Sequence, residues 1–149
     1  MTPIITMTDQ PEPCMKQAIL EPLLRFNQQH ANWPDDDRPL VLLLSGPEAT
    51  GISGGLWGRT GFAQLHIETL FVPESLRGRG VGRELMRQAE DEAIRRGCLG
   101  VWLDTFSFQA RGFYERLGYS VFGMIENYPP GHSRFLLKKT FSPATSTGG

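Results

Sequence analysis

The sequence predicts a mixed α/β (α+β) fold built on a central, mostly antiparallel sheet. Three observations lead there. Strand-like runs at 40–44, 51–58 and 62–72 follow one another across short turns, so they must be antiparallel. A glycine-rich loop, Arg77-Gly78-Arg79-Gly80-Val81-Gly82, then opens an amphipathic helix leading to the apolar run 99–105. That helical crossover allows 99–105 to lie parallel to 62–72.

The elements follow in order. Ile4-Ile5-Thr6-Met7 is a short β-prone segment, and residues 9–13 supply cap and N1 chemistry for a helix. From Cys14 to His30, Met15, Ile19, Leu23 and Phe26 recur at helical spacing. Pro22 interrupts the stripe and predicts two short helices or one kinked helix. Asp35-Asp36-Asp37 reads as a solvated acidic turn. Residues 45–48 turn the first strand into the second, and Arg59-Thr60-Gly61 turns the second into the third. In the helix after the glycines, Val81, Leu85, Ala89 and Ala93 form one stripe flanked by Met86 and Ile94, with Gly97 as its stop. Ser107 is placed to cap a short helix ending at Leu117-Gly118. Strands at 119–126 and 133–138 are joined by Pro129-Pro130-Gly131, and the Ser/Thr/Pro/Gly-rich residues after about Thr140 read as a disordered tail.

Composition limits the function classes. A chain of 149 residues, 40% hydrophobic, is one globular domain able to bury a core without disulfides. A net charge of −1 argues against a nucleic-acid binder. Cys14 and Cys98 lack metal-ligand spacing and read as reduced thiols, and the three histidines are too scattered for a metal site. With no secretory segment and no apolar run of about 18 residues, a soluble, cytoplasmic protein without membrane partners is expected.

The glycine loop carries the chemistry. Alternating glycines let successive N–H groups turn inward, and the helix dipole adds partial positive charge, which suits a phosphate or pyrophosphate. Arg77 and Arg79 add side-chain charge at the same place. A Walker P-loop is excluded, since no Gly-Lys-Ser/Thr run is present. A dinucleotide fingerprint is nearly met by Gly80-Val81-Gly82, with Asp104 at about the right distance. However, Leu85 replaces the third glycine, residues 73–79 separate Val72 from Gly80, and an antiparallel meander precedes the loop where crossovers are required.

The element order and three sequence pieces resemble the GNAT acyl-CoA N-acyltransferase family. Arg77 to Gly82 fits its Q/R-x-x-G-x-G/A loop, and Leu70-Phe71-Val72 fits the strand before it. Gly112-Phe113-Tyr114-Glu115-Arg116-Leu117-Gly118-Tyr119 looks like its "Tyr, three residues, Gly, aromatic" signature. The resemblance spans residues 4–139. It implies a single domain over 1–139 with 140–149 as tail, helices on both faces of the sheet, and two splayed strands forming an acyl-CoA cleft. It further implies acetyl-CoA as co-substrate, with no metal. The pyrophosphate would rest on the N–H groups of Arg77, Gly78, Arg79, Gly80, Val81, Gly82 and Arg83. The pantetheine arm would pair with the backbone of Leu70, Phe71 and Val72, one of whose N–H groups would meet the thioester oxygen. Many relatives contact the cofactor through an asparagine where this chain has Ser107, with Gln109 nearby as a substitute.

The implied reaction is direct attack of a neutral amine on the thioester, which needs a base and an acid. Tyr114 matches the tyrosine near the CoA sulfur. By the period of two, His66, Glu68, Leu70 and Val72 share one strand face, which offers Glu68 and His66 as bases with Asp104 as a third candidate. The expected acceptor is a small-molecule amine, with the turn 127–133 among the walls of its slot. Protein lysine or N-terminal acetylation and a non-catalytic acyl-CoA sensor are the rival functions. The family leaves a homodimer open.

Overall fold

The computed structural model describes residues 1–46 and 51–142. The chain divides into two units, one ending at Asp35 and the other beginning at Asp36. The first contains α1 (Pro13–Ala31), which has proline in its first turn and ends at Asn32 with a left-handed φ of 51°. α1 is a single helix through Pro22. The proline ring deletes one hydrogen bond of the ladder, and the helical residues on either side keep the rest. Residues 4–7 form no strand. A β-prone run becomes one only where a neighbour accepts its ladder hydrogen bonds, and among the described residues none does.

The second unit is a six-stranded sheet in the order β1-β2-β3-β4-β6-β5. Its strands are β1 (Arg38–Leu44), β2 (Gly54–Gly61), β3 (Gln64–Phe71), β4 (Gly100–Phe106), β5 (Ser120–Glu126) and β6 (Ser133–Thr140). The β1-β2-β3 meander is antiparallel, and β3 pairs with β4 in parallel. The crossover between those two is α2 (Val81–Arg95), and α3 (Arg111–Arg116) follows β4.

The core lies on one face of this sheet. Leu40, Leu56, Leu65, Ile67, Val101, Leu103 and Leu137 are buried there against Met86, Ala89 and Ala93 of α2. The two alanines, one helical turn apart, let α2 approach closely. Ile94 is exposed, since the packing stripe runs along Leu85, Met86, Ala89 and Ala93. Gly97 stops α2 with φ +87°: its N–H reaches Ile94 O and the Cys98 N–H reaches Ala93 O, the paired bonds of a Schellman motif. Phe113, Tyr114 and Leu117, from α3 and its C-terminal end, pack on the same core. β6 continues to Thr140, and Phe141 also packs there, donating its N–H to Leu99 O. The expected turn at 45–48 lies partly, and the tail at 143–149 wholly, outside the described residues.

The β2–β3 hairpin corrects a turn position. β2 runs on through Arg59, Thr60 and Gly61, because Thr60 faces the core, where its Oγ1 accepts a hydrogen bond from Arg96. The turn is Phe62-Ala63, both with positive φ (50° and 60°), as a two-residue hairpin requires. Asp36 Oδ1 accepts the Phe62 N–H, and Asp37 is ion-paired with Arg59. Two of the three aspartates therefore brace this hairpin, beyond merely facing solvent. Replacing Phe62-Ala63 with Asn-Gly should stabilise the protein by about 1 kcal/mol by relieving left-handed strain. A thermal melt checks this, and a lower melting temperature would show that packing of the Phe62 ring outweighs the strain.

Candidate active site

β3 runs into the glycine loop at Pro73 through a single 3-10 turn, Glu74–Leu76. Gly78 and Gly80 follow with φ of +75° and +77°, and Gly80 is the N-cap of α2. A Cβ at either position would meet nothing within 4 Å, so these glycines answer a backbone requirement and leave the space above them open. Gly82 serves differently: a Cβ there would lie 3.3 Å from the Phe113 ring, so it sets the close packing of α2 on α3.

No side chain caps α2, and its first hydrogen bond runs from Glu84 N to Gly80 O. The N–H groups of Val81, Gly82 and Arg83 are thus left for an anion. Glu84 would oppose one, but Arg87 bonds both its carboxylate oxygens and holds its pKa at about 2. Arg79 and Arg83 have no ion-pair or hydrogen-bond partner among the described residues. Arg77 turns back instead: its Nε donates to Val72 O at 2.9 Å and its guanidinium lies 5.9 Å from the centre of the Phe71 ring. It braces the strand–loop corner, and its backbone N–H donates to Glu74 O at 3.1 Å, which corrects the expectation that this N–H lies open to the pyrophosphate.

The strand before the loop has an open edge. β3 pairs with β4 only from Gln64 to Ile67, opposite Gly100 to Leu103. Beyond that the two strands part, while β4 stays paired with β6 through Phe106. Glu68, Thr69, Leu70 and Phe71 therefore present unpaired backbone to a gap that leads toward the glycine loop.

A β-bulge lies where the gap opens. Trp57 opposes Thr69 but Gly58 opposes Ile67, so Glu68 is the extra residue. Here the shared face expected for His66, Glu68, Leu70 and Val72 does not hold. The bulge turns Leu70 onto the core face opposite Leu56, whereas His66 lies opposite Arg59 on the other face. Gly58 was the available sequence signal, since a Cβ there would lie 2.7 Å from His66 O.

Glu68 is exposed, and among the described residues its carboxylate has no hydrogen-bond or ion-pair partner. His66 stacks flat on Trp102, ring centres 3.7 Å apart, and its buried Nε2 has no partner among the described residues. Burial lowers its pKa below the ordinary 6.5, against the opposing pull of Glu68 and Asp104. Asp104 is not free: Arg134 bonds its Oδ1 through Nε at 2.8 Å and Nη2 at 2.5 Å.

Tyr114 and Tyr119 separate by environment. The Tyr119 hydroxyl donates to Glu90 at 3.1 Å, whereas that of Tyr114 has no partner among the described residues. Burial, helped by the charge of Asp104, pushes the Tyr114 phenol up to about 12. Ser107 does not cap α3, whose N-cap is Ala110. Its Oγ accepts the Ser133 N–H and lies 3.3 Å from His132 Nδ1, tying the end of β4 to the β5–β6 hairpin. Gln109 is likewise engaged, its Oε1 accepting from Thr105 Oγ1 and Phe106 N. The Arg134 cluster was not foreseen from sequence.

Comparison with known proteins gives the family. The sequence profile of the acetyltransferase (GNAT) family matches residues 6–119. An acetyltransferase of Agrobacterium fabrum is 34% identical over 85% of this chain and 90% of its own length. A blasticidin-S acetyltransferase of Streptomyces morookaense is 42% identical over 59% of this chain and 65% of its own. The crystal structure of an acetyltransferase from Bacillus cereus superposes with a TM-score of 0.78 at 30% identity, over 91% of this chain and 98% of that one. The profile match over residues 6–119 and the identity to the Agrobacterium fabrum acetyltransferase carry the conclusion: this chain belongs to the GNAT acetyltransferase family.

Proposed function

We propose that the enzyme transfers the acetyl group of acetyl-CoA to the primary amine of a small molecule by direct attack. The observation that carries this reading is the continuity of the unpaired β3 edge with the three free N–H groups at the start of α2. The N–H groups of Val81, Gly82 and Arg83, with Arg79 and Arg83, would hold the pyrophosphate. The backbone of Leu70, Phe71 and Val72 would hold the pantetheine arm, and one N–H there would receive the charge that develops on the thioester oxygen. As the C–N bond forms and the C–S bond breaks, the amine loses a proton and the sulfur leaves beside Tyr114. A small-molecule acceptor is supported by the stretch shared with the blasticidin-S enzyme.

Glu68 is the proposed base. The bulge carries this unpaired carboxylate to the point where β3 leaves β4, and a water can relay the proton to it. One observation favours His66 instead: a neutral imidazole with an orphaned Nε2 is a ready proton acceptor.

Thiol release from acetyl-CoA, measured with blasticidin S, streptothricin, spermidine and short peptides, tests the function. Turnover of a small amine and none of the peptides is expected, and the reverse would overturn the reading. With the amine that reacts, Glu68→Gln should lower kcat/KM by about a hundredfold across pH. If His66 is the base, the wild-type rate instead falls as pH drops through a value below 6.5, where the imidazole protonates, and His66→Ala removes that limb.

A further inference from the structure

Arg134 engages several side chains near the strand gap, and none of the roles above uses it. It comes from β6, opposite Phe106 at the end of β4. Its Nε and Nη2 hold Asp104 Oδ1, and its Nη1 donates to the Tyr128 hydroxyl at 2.9 Å. The same guanidinium lies over two rings, 5.1 Å from the centre of Phe106 and 5.0 Å from that of Tyr128. These rings also touch each other, 5.6 Å apart, and Phe106 stacks on Phe108. One planar group on β6 thus fixes a carboxylate, a phenol and an aromatic ring from two other segments, the end of β4 and the β5–β6 connection.

The location gives this clasp its meaning. Asp104 and Phe106 lie on the part of β4 that β3 has left, on the sheet face opposite the core, the face that carries His66 and Trp102. Only Oδ1 of Asp104 is engaged by Arg134, and Oδ2 has no hydrogen-bond partner among the described residues. A surface group would gain little from such pairing. Here Arg134 and Asp104 are about three-quarters buried (27% and 24% exposed), where a fork bonded to two partners sets geometry.

We propose that Arg134 is a positioning residue for the acceptor amine. By tying Tyr128 to Asp104 at the end of β4, it makes the β5–β6 connection a fixed wall of the acceptor site. The ligand class is a cationic amine: Asp104 is neutralised by Arg134 and Arg59 by Asp37, while Glu68, where β3 leaves β4, is a carboxylate with no ion-pair partner among the described residues. This inference rests on the small-molecule acetyltransferase reading.

The test is a steady-state comparison of wild type, Arg134→Gln, Arg134→Lys and Tyr128→Phe with blasticidin S, streptothricin and spermidine as acceptors, alongside calorimetric titration with CoA. Arg134→Gln should raise the acceptor KM by about tenfold or more with kcat within about threefold, and leave CoA affinity unchanged. Arg134→Lys should not restore KM, because an ammonium cannot bond Asp104 and Tyr128 in the same fork. Tyr128→Phe, which loses one of these bonds and keeps the ring, should give a smaller rise of the same kind. An unchanged acceptor KM in Arg134→Gln, or full rescue by Arg134→Lys, would overturn the positioning role while leaving the enzyme reading intact. If wild type binds CoA but acetylates none of the three amines, the cationic-acceptor class is overturned. If it fails to bind CoA, the reading beneath it falls as well.

Discussion

Gly80→Val should lower CoA affinity by about tenfold or more, while Gly80→Asn keeps most of it. The reason is conformational. Gly80 has φ +77°, and a Cβ there would meet nothing within 4 Å, so no steric clash distinguishes the two substitutions. A β-branched residue is strongly disfavoured in the left-handed region, whereas asparagine enters it at modest cost. With valine the corner relaxes away from positive φ, and the N–H groups of Val81, Gly82 and Arg83 no longer converge. Binding then has to restore the strained turn, which appears as lost affinity. Gly82→Leu should fail by the other route, wedging α2 from the Phe113 ring 3.3 Å away, and should lower the melting temperature as well. Titration calorimetry with CoA, paired with thermal melts, separates the two. Retained affinity in Gly80→Val would show that the anion does not bind at this cradle.

What the sequence reveals about this site divides along a physical line. The loop and α2 were readable because each depends on local chemistry: glycines for positive φ, a 3.6-residue stripe, and Gly97 as a stop. The meander was readable because short connections leave antiparallel pairing as the only geometry. Tertiary pairing was not. The Glu68 bulge exists only in the register of β3 against β2, and one extra residue was enough to move Leu70 to the other face. The hairpin turn fell on Phe62-Ala63, which carries no turn signature, because Asp36 and Asp37 hold it from more than twenty residues away in sequence.

The same limit applied to the polar residues. Asp104 was visible as a carboxylate at a strand end. Its pairing with Arg134, thirty positions on, depends on β4 lying beside β6. Ser107 sat correctly before a helix, yet its hydroxyl was taken by Ser133 and His132 from the returning hairpin. Tyr114 and Tyr119 look alike in sequence, and only packing assigns one hydroxyl to Glu90 and leaves the other unengaged.

That difference between the tyrosines predicts the second large effect: Tyr114→Phe should lower kcat by about ten- to a hundredfold with CoA affinity nearly unchanged. Burial pushes the Tyr114 phenol up to about 12, so it is protonated at every working pH. A thiol titrates near 8.5 in water, so full transfer of the phenolic proton to the departing sulfur is uphill by about three and a half pH units. In the proposed reaction Tyr114 would therefore act by hydrogen-bonding the sulfur as negative charge develops, and a bond to a charged group sets the expected size of the loss. It follows that kcat should show no alkaline limb from this group below about pH 10. The hydroxyl has no partner among the described residues, so phenylalanine should fold with an almost unchanged melting temperature. Tyr119→Phe is the control: it breaks the bond to Glu90, so it should lower stability while leaving turnover per folded molecule unaltered. If Tyr114→Phe turns over at the wild-type rate, its ring serves only to pack α3 on the sheet.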